Sequence, residues 1–378
     1  MRRQPVDHVP LWLRFWSMEE GKDNIPFEWR DQTKRAEWLI ANGLDDTLLL
    51  EPPLGYTENY IADQVPGVRT TTELIPAKDG EKYPILVKEW HTPAGVLRQS
   101  INKTDDYLHG DDIHLFSDFN IPRQREAIVK STADIPALRR LFAEPSVESQ
   151  NEFNERAKRI KADAERLGVA VDGGWSALGD SAIWILGMEK VLYGQTDEPG
   201  FIEQVLDVLL EWELNRIDKV LSAGADLYTH MAWYEGTDFW SPRNFRKLLK
   251  PRLMKIAEKV HSYHVPLRYI ITKGWKPIRM DLLEIGIDCI SGVDPIQDNL
   301  DLAETKSVLG SQVCLMGGMN SSVTMHQGSE ADIRQAVRDA FQILAPGGGF
   351  ILYPVDQVFC EMEWRKTEIV MDEWKKQH

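Results

Sequence analysis

Residues 222–256 read SAGADLYTHMAWYEGTDFWSPRNFRKLLKPRLMKI, and three signals within them set the fold. Gly224 is placed to end the helix before it, because a residue without Cβ enters the left-handed conformation that closes helices. Asp226–Met231 is then a short apolar run bounded by turn residues, which predicts a strand buried on both faces. Ser241-Pro242 opens the next helix, running towards His261. The serine oxygen can accept from the free N–H groups of the first turn, and proline suits the first helical position. Helix, buried strand and helix in succession make one unit of a parallel α/β fold.

The same unit repeats outward from this stretch. Upstream, Pro199–Ala223 carries apolar residues at Phe201, Ile202, Val205, Leu209, Trp212 and Ile217, the stripe of a helix that packs on a sheet. Downstream, Ser329 and Asp332 form a capping box before Ile333 and Val337. Seven further short runs are read as buried strands: Val9–Trp16, Thr47–Glu51, Gly168–Asp172, Leu267–Thr272, Ile287–Val293, Val313–Met316 and Phe350–Tyr353. Eight strand–helix units predict a closed (β/α)8 barrel, a TIM barrel, as a single domain over residues 1–378. Over a hundred residues, about 54–167, separate the second and third strands. There Lys82–Lys103 predicts a β-hairpin or meander turning at Pro93-Ala94-Gly95, and residues 131–167 predict helix. An insertion after a barrel strand sits at the carboxyl face, where a lid or a dimer contact would lie.

Composition narrows the partners. A net charge of −15, from 59 acidic and 44 basic residues, argues against nucleic acid, whose binding needs a basic face. Cys289, Cys314 and Cys360 stand far apart with no CxxC pair, which points to a reducing compartment without disulfides. No apolar stretch approaches the roughly 20 residues needed to span a bilayer, and the opening MRRQPVDHVPLWLRFW lacks a signal-peptide pattern. A cytoplasmic protein with no membrane partner is the expectation. The thirteen tryptophans are first of all core and helix–barrel packing residues.

PVDHVPLW near the start, the 222–256 stretch, LLEIGIDCISGVDP and LDLAETKSVLGSQVCLMGGMN resemble, in order, the landmarks of the uroporphyrinogen decarboxylase superfamily. The resemblance implies a TIM barrel and one of two chemistries. True decarboxylases remove acetate carboxyls from uroporphyrinogen without a cofactor. Related methyltransferases move methyl groups between corrinoid proteins and small acceptors such as thiols, using zinc. The decarboxylase pattern follows the first strand with two arginines for substrate carboxylates. Here Phe15-Trp16-Ser17-Met18-Glu19 stands there, with Arg14 alone nearby, and Tyr353-Pro354-Val355-Asp356 replaces the family's Gly-His-Gly turn. The methyltransferase pattern needs His-x-Cys at the end of the fifth strand. Here those positions are Ile271 and Lys273, and Cys360 falls several residues late for the third ligand. The chain is therefore expected to lie closer to the methyltransferases, without the usual zinc site and with no cofactor held by a recognisable motif.

The carboxyl ends of barrel strands are where such folds keep their chemistry. The strand ends supply Arg14 and Trp16, then Glu51, then Asp172 and Trp175, then His230, Trp233 and Glu235. After them come Lys273 and Trp275, then Asp294, then Asn320, and finally Tyr353 with Asp356. Lys273 and His230 are the expected proton donors, with Glu51 and Asp356 as further catalytic groups. Lys273 stands out because a lysine seldom ends a buried strand without a task or a carboxylate partner. The remainder are expected to bind substrate, the tryptophans suiting a planar aromatic, a corrin edge or a methylated cation. Plainer readings stand beside these. Glu51 and Asp172 could be ion-paired or cap helices, Asp294 resembles a structural aspartate, His230 could be a satisfied core histidine, and the tryptophans could simply pack the mouth.

Three functions follow as expectations. The first is corrinoid-linked methyl transfer on a small molecule, with a corrinoid presented by a carrier protein. The second is decarboxylation of uroporphyrinogen or another acid. The third is a tetrapyrrole- or corrinoid-binding relative without turnover. The resemblance also implies a homodimer.

Overall fold

The computed structural model describes residues 7–15, 29, 31–53, 65–174, 176–359 and 361–377, so Trp16, Trp175 and Cys360 lie outside the described residues. Twelve strands occur among them: β1 Thr47–Leu49, β2 Arg69–Ile75, β3 Ile85–Thr92, β4 Gly95–Asn102, β5 Gln124–Glu126, β6 Ala170–Asp172, β7 Ser176–Ala177, β8 Tyr228–Met231, β9 Leu267–Ile270, β10 Cys289–Val293, β11 Cys314–Asn320 and β12 Phe350–Val355. The wall is parallel. β8 to β12 are neighbours in sequence order, β7 pairs the end of β8, and β6 pairs β1. An Asp172–Leu227 bridge joins β6 to the start of β8. At the other side the N-terminal segment bridges to β12 at Leu11–Leu352 and to the chain beyond it at Phe15–Val358. This is a (β/α)8 barrel, with helices between its strands.

The first strand differs from the expected continuous run over Val9–Trp16. Between its two bridges the segment advances from Leu11 to Phe15, while the opposing chain advances from Leu352 to Val358. The two surplus residues on the opposing side interrupt the ladder, and Asp356 stands within that surplus. Between this segment and β1 a side chain makes the join. The Asp45 carboxylate accepts from the Leu11 backbone N–H at 3.0 Å and lies 3.2 Å from His8 Nε2. β11 and β12 are longer than expected. Gly317 and Gly318 fall beyond the expected strand end at Met316, yet both lie within β11, where a Cβ on Gly317 would collide with the Val293 carbonyl oxygen. Glycine here permits close strand approach, and the extra length carries Asn320 to the rim.

Alternation along the strands separates two cores. Leu48, Val171, Tyr269, Ile290, Leu315 and Leu352 face outward and pack with the helices in one large cluster. Cys289, Cys314, Met316, Tyr353 and Val355, with Trp12 and Ile351, form a smaller cluster inside the barrel. The helix signals hold locally. Pro199–Ser222 ends before Gly224 at φ +90°, and Ser241 caps Pro242. That helix passes through a π-helical segment, Phe245–Leu249, into Lys250–His261.

The insertion is an antiparallel meander in the order β2-β3-β4-β5, turning at Pro93–Gly95 as expected. The helix Val147–Leu167 packs on helix Gln32–Ala41, β1 and β6, and so belongs to the barrel's outer ring although it falls inside the expected insertion. No described helix is long and apolar enough to cross a membrane. Both capping-box bonds of Ser329 and Asp332 are present. Ser329→Ala is expected to lower stability by about 1 kcal/mol in urea unfolding; an unchanged midpoint would show that the cap contributes nothing.

Candidate functional site

Cross-strand pairing decides which polar side chains face the lumen and which face the helices. Thr229 pairs with Arg268 and faces inward, while its neighbour His230 pairs with Tyr269 and faces outward. Inside, the Arg268 guanidinium is ion-paired with Asp172, and its Nε donates to Thr229 Oγ1 at 2.9 Å. Thr229 Oγ1 donates in turn to Asp172 at 2.9 Å, and the Gly174 N–H reaches the same carboxylate at 3.1 Å. The Trp12 ring lies 4.8 Å from the guanidinium carbon. All three polar residues are buried, so each charge depends on the other. Asp172, expected at the rim, is instead committed to this wall pair. Arg268 escaped the sequence reading, although a charged residue inside the run Leu267–Thr272 was the available signal.

On the outer face His230 is fully buried between the wall and the helices. Its Nδ1 lies 2.6 Å from Glu213 of helix Pro199–Ser222, and its Nε2 lies 3.0 Å from Glu235. Burial pulls the imidazole's pKa down, but the two carboxylates outweigh it and hold the ring well above its ordinary value, as an imidazolium. Ser176 Oγ donates to Glu213 at 2.7 Å, while Tyr269 Oη at 2.5 Å and the Gly179 N–H at 2.6 Å donate to Glu235. The His230 and Tyr269 rings are parallel at 5.4 Å. Next to them Asp180 accepts from the backbone N–H groups of Trp233 and Tyr234 at 3.0 and 2.7 Å. This cluster anchors the turn that carries Trp233 and Tyr234. Both ring nitrogens of His230 are engaged by carboxylates, so the histidine is a satisfied core residue in this geometry.

At the rim, Arg14 Nη1 lies 3.4 Å from Asp356, and its guanidinium carbon stands 5.5 Å from the centre of the Trp233 ring. Burial raises the Asp356 carboxyl's pKa, Arg14 opposes the rise, and the nearby Asp294 adds to it. Tyr353 Oη donates to the Asp356 carbonyl oxygen. The insertion contributes Asp118, which accepts from Trp184 Nε1 at 2.6 Å and from Tyr234 Oη at 3.0 Å. Its carboxyl is raised first by burial, against the two hydrogen bonds, with the Asp356 charge adding to the rise. Arg14, Trp233, Tyr353 and Asp356 are therefore brought together, joined by Asp118 and Tyr234. Nothing in the sequence marked Asp118, because its place depends on how the insertion folds over the barrel.

The other expected residues take different positions. Glu51 is pushed up by burial, with Arg216 and Arg156 opposing, and its carbonyl oxygen accepts from Arg156 at 2.5 Å. Asp294 accepts from the Ile296 N–H at 2.8 Å and from Asn320 Nδ2 at 2.6 Å. Asn320 Oδ1 caps the following segment through the Val323 N–H at 2.6 Å, so this pair clasps two loops. Trp275 is buried. Lys273 corrects an expectation. β9 ends at Ile270, which leaves Lys273 in the following turn, 54% exposed and 3.0 Å from Asp238. It is a solvent-facing ion pair rather than a buried lysine.

A zinc–thiolate centre does not fit the donor set. Ile271 is an apolar core side chain and Lys273 an ammonium, where an imidazole and a thiolate would be required. Among the described residues no group of three or more His, Cys, Asp or Glu is placed to hold a metal ion.

Comparison with known proteins fits this architecture. The family model for uroporphyrinogen decarboxylase (URO-D) matches residues 117–377, and the chain belongs to that family. Two curated relatives are methylcobamide:CoM methyltransferases MtaA, from Methanosarcina barkeri and from its strain Fusaro. They are 28% identical over 196 residues and 26% identical over 206. The matches cover 50% and 53% of this chain, and only 56% and 59% of those proteins. A methyltransferase structure from Methanosarcina mazei superposes with a TM-score of 0.59 at 18% identity, covering 99% of this chain and 95% of that one, and shares the fold. Within the family the similarity runs towards methyltransferases.

Asp172→Ala leaves the Arg268 guanidinium buried without its partner and is expected to cost about 3–5 kcal/mol in chemical denaturation; a loss under about 1 kcal/mol would mean that the pair is dispensable. His230 has a raised folded pKa, so its contribution is complete below the unfolded value and is lost as pH rises through the folded value. The melting-temperature gap between wild type and His230→Gln should therefore narrow as pH rises, and a constant gap would contradict the imidazolium assignment.

Proposed function

We propose that this chain is an enzyme that removes a methyl group from a small methylated compound at the carboxyl rim of the barrel. The methyl group passes to a corrinoid carried by a separate protein that docks over the rim. Membership of the family and the methyltransferase relatives support the reaction class. The observation that carries the reading is the rim itself, where two carboxyls with raised pKa values, Asp356 and Asp118, stand with Arg14, Trp233 and Tyr234.

Taking a methyl group from an ether oxygen or an uncharged nitrogen leaves an anion that must take up a proton, whereas a methylated cation leaves as a neutral amine. A positioned carboxylic acid whose pKa is pushed up towards the working pH is suited to that transfer. Asp356 fills this role as general acid. Arg14 holds the acid in place and sets a positive charge beside it that favours an anionic substituent. Trp233 and Tyr234 supply aromatic surface for a planar ring or a methylated cation. The corrinoid supplies the methyl-accepting centre. No thiol needs activation in this direction, which agrees with the donor set at Ile271 and Lys273.

The test mixes the purified chain with a reduced corrinoid protein and a panel of methoxy-aromatics and methylamines, following methylcobalamin by absorbance. Uroporphyrinogen is run in parallel, with chromatography of the products. Methylation is expected with at least one panel member. No methylation across the panel, or decarboxylation of uroporphyrinogen, would overturn the reading. Asp356→Asn should lower kcat by about 10²–10⁴-fold with a smaller change in KM. Because the protonated carboxyl is the active form, wild-type activity should fall as pH rises through the raised Asp356 value, and that limb should be absent in Asp356→Asn.

A further inference from the structure

Two of the chain's three cysteines meet inside the barrel. Cys289 opens β10, Cys314 opens β11, and the two are directly opposed in the parallel register of these strands. Neighbouring strands lie about 4.8 Å apart, and opposed residues send their side chains to the same face. The two thiols are accordingly in hydrogen-bonding contact, both buried and neither in a disulfide. Met316, two residues after Cys314, turns to the same face and packs in the same inner cluster, so three sulfur atoms share the lumen. On its other side Cys289 is opposed to Arg268 of β9. Contact with Cys314 and burial hold the Cys289 thiol well above its ordinary value, with the Arg268 guanidinium opposing them.

We propose that Cys289 and Cys314 form a buried site for a soft monovalent cation, Cu(I), with the Met316 thioether as third ligand. Ligand softness selects the metal, since thiolate and thioether sulfur favour Cu(I). Zinc would need four ligands, and among the described residues no group of three or more His, Cys, Asp or Glu is placed to supply them. Two bare thiolates would be costly in this interior, and a cation that replaces both thiol protons leaves a single net negative charge beside the Arg268 guanidinium. On binding, both S–H bonds break, two Cu–S bonds form and both protons leave to solvent. Copper stays as Cu(I), so no oxidant or reductant is consumed. The bound ion ties β10 to β11 from inside the barrel. It uses neither the strand-end positions Ile271 and Lys273 nor any rim group, so the site and the reaction proposed above stand or fall separately.

Anaerobic titration of the full chain with Cu(I), against the chromophoric chelator bicinchoninate, tests it. A single ion per chain is expected to resist the chelator and to release about two protons, with affinity rising with pH because protons are displaced. Cys289→Ser and Cys314→Ser, each checked for folding by circular dichroism, should weaken binding by more than the roughly 10–100-fold that loss of a supporting group costs. Met316→Leu conserves volume and keeps the core packed. It should weaken binding about tenfold while the chain still takes a single ion. Cys360→Ser should change nothing, and zinc should not displace the copper. A wild-type chain that takes up no Cu(I) overturns the proposal. So does binding that survives both Cys289→Ser and Cys314→Ser, or is lost in Cys360→Ser. Uptake without proton release, or an affinity that Met316→Leu leaves unchanged, also rules out the three-sulfur site.

Discussion

A charge taken out of water must find its counter-charge within a few ångströms, and this barrel meets that requirement separately on each face of its wall. Inward, Arg268 is matched by Asp172. Outward, the His230 imidazolium is matched by Glu213 and Glu235. Both arrangements begin from two adjacent residues of one strand, Thr229 and His230, which the pleat sends to opposite sides. The inner pair holds β6, β8 and β9 in register. The outer cluster ties helix Pro199–Ser222 to the wall and, through Glu235 and the neighbouring Asp180, sets the turn that brings Trp233 and Tyr234 to the rim.

The fold was legible in the sequence because its signals are local. Gly224, the Ser241-Pro242 start and the Ser329–Asp332 box each act within a few residues of themselves, and buried parallel strands announce themselves as short apolar runs. The candidate site was legible only in part. Arg14, Trp233, Tyr353 and Asp356 were expected at the rim because of their places at or near strand ends, and the structure brings these four together. His230 was given the wrong surroundings because one residue of pleat separates lumen from helix layer, and the sequence does not say which phase a four-residue strand adopts. Lys273 was expected at the end of a strand that stops at Ile270, two residues short of the expected Thr272. Asp118 depends on how the insertion packs, which no local pattern encodes.

These placements also explain how the chain can keep the family's barrel while departing from the family's metal-binding pattern. Ile271 joins the core and Lys273 goes to solvent, so the end of β9 is closed to metal-thiolate chemistry of the usual kind. The polar groups that remain at the rim come from other elements: the N-terminal segment, the turn after β8, the end of β12 and the insertion. A family defined by its wall can thus gather polar groups at a different point of the circumference.

The surplus of two residues opposite the Leu11–Phe15 segment has a consequence of its own. Asp356 belongs to slack in the chain rather than to the hydrogen-bonded wall, so its height above the lumen depends on how much chain is let out between two fixed anchor points. Adding or removing a residue there would raise or lower the acid while every strand kept its neighbours. Pocket depth in such a barrel is adjustable by length alone, without rebuilding the staves.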